Sequence, residues 1–219
     1  MAKLMFLFVT PFALLCSQAR ADKLSDFKDA VGNKGCDSIP YSDLRSTCKS
    51  QQSEVHDYCD GKRGPVTCGS ARITRDLKEN IEKKKKDVES LKNKKRSLED
   101  QKSRASDESE KNRIGKEIDQ VERDIYEAGK LVDAAISEFD ERKKLVENAI
   151  YYLDKCVDYR RAVMNVFATA LDKVRGETDD DIKPLARELR DRYEASKSGH
   201  ETAIKDKQNA LDTCKDSRP

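Results

Sequence analysis

Tryptophan is absent from this 219-residue chain, and aromatic residues make up only 6% of it. A chain of this length can bury a globular core, but with so few large rings that core is expected to be thin. Only five prolines and nine glycines occur. Their scarcity excludes collagen-like or linker-like sequence and leaves room for long uninterrupted helices. No CxxC pair occurs, and the two histidines, His56 and His200, are isolated in sequence. That argues against a zinc site. Neither histidine has a serine or cysteine at a spacing that suggests an activated nucleophile, so both read as surface residues. GETDDD (176–181) lacks the ligand order of a calcium loop. The sequence therefore implies no enzyme, no metal and no cofactor.

Long apolar runs are also missing, with one exception. Leu4 to Leu15 is apolar, yet shorter than the roughly 20 residues of a spanning helix. Lys3 precedes it and Ala19-Arg20-Ala21 follows. This is the three-part pattern of a secretory signal peptide over residues 1–21, cut between Ala21 and Asp22. The protein is thus expected to be exported, secreted or periplasmic, with no transmembrane segment in the mature chain. Cleavage removes Lys3, Arg20 and Cys16, taking the formal charge from +2 to zero and the cysteines from seven to six.

What the chain has in abundance is charge, at 39% of residues, and apolar residues at helical spacing. A short helix in 22–35 is expected to end at Gly32. Ser38 or Ser42 is expected to cap a helix running to about Tyr58, with Leu44, Cys48, Val55 and Cys59 on one face. A third helix starts near Ser70, marked by Ile73, Leu77, Ile81, Val88, Leu91 and Leu98, with Lys84 and Lys95 interrupting the seam. Asp107 followed by Glu110 marks a reversal. From Ile114 to Val174, steps of four and three meet a charged residue only at Arg142 and Arg160. That pattern predicts one coiled-coil helix over 108–175. Beyond Leu145 a second apolar row (Ile150, Val157, Met164, Leu171) widens the stripe, so this half should touch more than one neighbour. Asp180 or Asp181 should cap a last helix over about 183–213.

These elements predict an all-α fold: an elongated antiparallel helical bundle with a coiled-coil hairpin, stapled by disulfides. Its expected parts are a cysteine-rich helical hairpin region (22–69), an antiparallel coiled-coil arm (70–143), and a C-terminal helical hairpin (144–219) packing with the N-terminal region. For the six cysteines, the preferred connectivity is Cys36–Cys48, Cys59–Cys68 and Cys156–Cys214, with Cys68–Cys214 as the competing pair. Fifteen connectivities are open to six cysteines, and sequence does not choose among them.

The arm is polarised. Residues 72–104 hold thirteen basic and seven acidic side chains, and residues 107–143 twelve acidic and seven basic. Antiparallel pairing would set these segments side by side, so most of the basic run is read as half of a charge-matched hairpin. Lys83, Lys84, Lys85, Lys86, Lys94, Lys95 and Arg96 are nonetheless candidates for interaction. So are Tyr151, Tyr152, Tyr159, Arg160 and Arg161, because tyrosine and arginine are enriched at interfaces. Nucleic acid is not expected as a partner, since the basic run has no aromatic residue on which a base could stack.

The functional expectation is an exported, non-enzymatic scaffold or binding protein acting through protein–protein contacts, with self-association through heptad seams as one form of it. The alternative is a cell-surface or envelope protein that binds anionic lipid or polysaccharide through the basic helix 83–104. The cysteine arithmetic supplies the first test. Intact mass before and after thiol labelling of the exported chain should be the same, and one labelled thiol per chain would break the six-cysteine framework.

Overall fold

The structure, a computed structural model, describes residues 12–218, with side chains from residue 19. Lys3 and most of the apolar run of the leader lie outside the described residues. Those described form five α-helices and no strand: α1 (Phe12–Gly32), α2 (Ser42–Cys59), α3 (Ala71–Arg104), α4 (Glu108–Arg175) and α5 (Lys183–Asp216). A single 3₁₀ turn, Gly35–Ser38, links α1 to α2. None of these helices is long and apolar enough to cross a membrane. The fold is all-α, a disulfide-stapled set of packed helices.

Helix ends follow local chemistry. The Ser70 side chain accepts from the Arg72 amide and opens α3. Asp107 accepts from the amides of Ser109 and Glu110 and opens α4. Two expected caps are not used. The residue flanking α2 is Tyr41, without a side-chain cap; Ser38 lies inside the 3₁₀ turn, where its hydroxyl donates to the Gly35 carbonyl. Before α5, the Asp179 carboxylate takes the Asp181 amide within the preceding turn, while Asp180 accepts from the Lys183 ammonium and Asp181 from the Arg20 guanidinium.

The chain divides into two compact units. The first comprises the described residues up to Arg63 together with Leu153–Asn209; the second comprises Gly64–Tyr152 and the described residues from Ala210 on. The borders fall at Arg63 and Tyr152 rather than at 69 and 143. Cys68 and Cys214 are bonded to each other, which puts the last residues of α5 in the second unit.

In the first unit, α1, the 3₁₀ turn and α2 pack on the later part of α4 and on α5. The core holds Phe27, Ile39, Val55, Val163, Phe167, Leu189 and Tyr193. Phe167 and Tyr193 meet ring to ring with centroids 5.8 Å apart, and the buried Tyr193 hydroxyl donates to the Ser38 carbonyl. Arg192 donates to the carbonyls of Val31 (2.6 Å) and Asn33 (3.1 Å). It thereby satisfies carbonyls that the end of α1 leaves without helical partners. The second unit contains the arm, in which α3 and α4 pack through Leu98, Ile114 and Val121.

Every position of the stepped run from Ile114 to Val174 is buried or half-buried. In the second row Ile150, Val157 and Leu171 are buried and Met164 is half-buried, as a wider stripe requires. On α3 one mark is misplaced. Ile73 is 47% exposed and Thr74 is buried. The seam there runs through 74, 77, 81, 84, 88, 91, 95 and 98, a strict heptad that Ile73 does not join.

The disulfides are Cys36–Cys48, Cys59–Cys156 and Cys68–Cys214. The expected pairs Cys59–Cys68 and Cys156–Cys214 do not form. Cys59 ends α2 on its buried face, so it points at α4 and not back across the following turn. The helix limits centre the α4–α5 reversal near residue 179, which leaves Cys156 level with about residue 202 rather than 214.

A disulfide constrains the unfolded chain more when it closes a longer loop. Cys59–Cys156 spans 97 residues and Cys36–Cys48 spans 12. Replacing both cysteines of the long link by alanine should therefore cost roughly 4 to 5 kcal/mol, against about 3 for the short one. Thermal melts of the two double variants, side by side, check the order.

Candidate binding surfaces

The expected charge pairing across the arm is sparse. Among the described residues, one ion pair joins α3 to α4, from Lys95 to Glu122 at 2.6 Å. The hydrogen bond to Glu122 is also the main reason the Lys95 pKa is raised. Lys85 pairs within its own helix, with Glu82, and Arg96 donates to Asn93. Lys83, Lys84, Lys86 and Lys94 have no ion pair among the described residues. The physical reason is geometric. Only positions in or beside the seam reach the facing helix, and Lys83, Lys85 and Lys86 are exposed away from it. Lys83 and Lys86 line a shallow groove on the outer side of α3 with Arg75, Lys78, Glu79 and Glu82. Lys84 and Lys95 sit half-buried in the seam itself.

The tyrosine and arginine residues do not form one cluster. Tyr151 and Tyr152 belong to the second unit, and Tyr159, Arg160 and Arg161 to the first. Tyr151 is exposed and edge-on to Tyr152. The half-buried Tyr152 ring lies against Gly64, where a Cβ would come within 2.0 Å of it. Glycine is required there by close approach, so Tyr152 is a packing residue. Tyr159 packs on Tyr58 with centroids 5.2 Å apart. Arg161 is exposed and reaches Gln208.

The two charged interruptions of the α4 seam behave differently. Arg142, in the second unit, donates to the Ser70 carbonyl and the Thr74 hydroxyl and so closes the base of the arm. Arg160, in the first unit, has a buried Nε with no hydrogen-bond partner. Beside it is His200, whose Nδ1 is likewise buried and unpartnered. The imidazole lies nearly parallel to the Phe167 ring, centroids 6.1 Å apart. Burial, and secondarily the Arg160 charge, lower its pKa. Arg160, His200 and Phe167 line a cavity of about 460 Å³ with Gly35, Gln52 and Ser196 among others.

His200 is thus not the surface residue expected from sequence. The available signal was its spacing: it lies seven residues after the buried Tyr193, on the same face of α5. His56 does stand at the surface, bonded through Nδ1 to Asp60. Among the described residues no group of three or more histidine, cysteine or acidic side chains is arranged to hold a metal.

The chain matches no known protein family. Neither a curated protein nor a solved structure resembles it significantly. The surfaces themselves therefore carry the functional argument.

Seam lysines lower the stability of the arm, because a coiled coil gains most from apolar seam residues. Lys84→Leu should raise the melting temperature and slow amide hydrogen exchange in α3 and in residues 108–142. Unchanged exchange would mean that Lys84 already contributes as much as an apolar residue there.

Proposed function

We propose that this chain is an exported, non-enzymatic binding protein that engages a partner protein through its coiled-coil arm. The observation that carries the reading is the distribution of exposed apolar side chains. Among the described residues the exposed large hydrophobics are Ile73, Tyr126, Leu131, Ile136, Leu145 and Tyr151. All six lie in the second unit. Leu131 and Leu145, 56% and 41% exposed, are two heptads apart and share one stripe beside the seam. Interface energy concentrates in such apolar and aromatic anchors, with charge around them setting specificity and rate of encounter. The lysines of α3 supply that charge, which favours an acidic surround on the partner.

Export is part of the reading and rests on the leader pattern of residues 1–21 together with three disulfides, which persist in oxidising compartments. A second reading assigns the lysines to anionic lipid or polysaccharide. It is favoured by the absence, among the described residues, of ion pairs at Lys83, Lys84 and Lys86.

The experiment compares three forms of the oxidised protein: wild type, Leu131→Glu/Leu145→Glu, and the glutamine replacement of Lys83 to Lys86. Partners are cross-linked in the host's own secretions or envelope and identified by mass. The first reading expects a defined protein captured by wild type and lost with the leucine variant. It also expects light scattering to show whether that protein is a second copy of this chain. Adsorption to anionic vesicles that vanishes with the glutamine variant and at high salt, with no protein dependent on Leu131 and Leu145, would replace it with the second reading.

A further inference from the structure

A buried hydrogen-bond donor without a partner is costly, and more so when it is charged. Arg160 Nε is such a donor, and His200 Nδ1 is a second buried nitrogen without a partner; both residues line one cavity. The other half-buried arginines do not share this state. Arg45 donates to the carbonyls of Ile39 and Pro40, Arg142 to Ser70 and Thr74, and Arg192 to Val31, Asn33 and Glu188. Arg160 has no bond or ion pair among the described residues, and no acidic side chain lines the cavity.

We propose that the cavity between α2, α4 and α5 in the first unit is a binding site for a small organic carboxylate, held by Arg160 and His200. This site is separate from the arm surface proposed above and does not depend on it.

The chemistry matches at each point. A guanidinium offers a two-donor fork that fits a carboxylate. His200 adds one further N–H donor while neutral. The cavity then carries one full positive charge, which suits a monoanion better than a doubly charged phosphate. Its charged and titratable lining groups are Arg160 from α4 and His200 from α5. From α2 comes the neutral Gln52, and from the 3₁₀ turn Cys36, which is disulfide-bonded. Phe167 gives an apolar wall for the remainder of the ligand. The volume, about 460 Å³, lies within the usual range for small-molecule sites.

Two glycines line the site. Gly35 has φ +56°, a left-handed conformation that side-chain-bearing residues rarely adopt. Gly199 lies within the unbroken helix α5 at the rim of the cavity, and a Cβ there would meet nothing within 4 Å. A glycine inside a helix is less favourable than alanine, so its place at the rim favours space over helix stability.

The test is a titration of the oxidised full chain with benzoate, acetate and inorganic phosphate. The imidazole resonances of His200 and His56 are followed by NMR, the latter as an internal control. Benzoate should shift His200 saturably, raise its pKa, and leave His56 unmoved. Acetate should bind more weakly because it cannot cover Phe167. Arg160→Met should weaken benzoate about tenfold or more. Gly199→Leu, which fills the rim and improves the helix, should weaken it without lowering the melting temperature. Should Arg160→Met prove poorly folded, Gly199→Leu and Arg160→Lys carry the test, since lysine keeps the charge and loses the fork. No saturable shift, or equal shifts in wild type and the variants, would overturn the site. Phosphate binding as tightly as benzoate would overturn its assignment to carboxylates.

Discussion

The apolar seam of α4 is the constraint from which the rest of the structure follows. One face of a helix running from Glu108 to Arg175 has to be covered along its whole length. No single neighbour does so. In the second unit α3 covers it, and in the first α1, α2 and α5 share the task. The seam also explains where charge is tolerated. A guanidinium in a seam needs acceptors, and Arg142 finds them in the loop and first turn of α3. Arg160 finds none among the described residues, so the same physical demand that closes the arm leaves an open claim in the first unit.

Disulfides and polar locks then fix what the seam leaves free. Cys36–Cys48 ties the 3₁₀ turn to α2, and Cys59–Cys156 ties α2 to α4. Tyr193 holds the turn from the α5 side through Ser38, and Lys207 caps the end of α2 at the Cys59 carbonyl. The walls of the Arg160 cavity are therefore among the most firmly cross-braced parts of the first unit. A site that holds its ligand in a preformed geometry gains affinity from such bracing. The arm relies on an apolar seam interrupted by two lysines, with a single ion pair between its helices among the described residues.

Periodicity was legible in the sequence wherever it was long. The limits of α4, the buried steps along it and the widening beyond Leu145 all followed from spacing, because a seam of many turns averages out local exceptions. Short-range features were not. Ile73 looked like a seam residue until the strict heptad selected Thr74. The cysteine partners depended on which way Cys59 faces and on where the α4–α5 reversal is centred, and a shift of a few residues in that centre changes the pairing. His200 was missed for a related reason. Read alone in a polar stretch it resembled a surface histidine, while its heptad relation to Tyr193 placed it inward, one heptad beyond the Phe167–Tyr193 contact and opposite Arg160.

α1 runs without a break from Phe12 to Gly32, so the Ala19-Arg20-Ala21 site lies within helical backbone. Its buried anchors all fall later: Phe27 and Ala30 in the core, and the Arg192 bond at Val31. Before that, Arg20 reaches only carboxylates of the α4–α5 loop, the half-buried Asp179 and the exposed Asp181. A processing protease threads its substrate as an extended strand, which this helix does not offer. On the proposed export route, the cut therefore belongs to the emerging, unfolded chain. The folded form is then a timer as well as a product: once α1 has coiled, an uncut leader is sheltered, and retained leader would report chains that folded before they were processed.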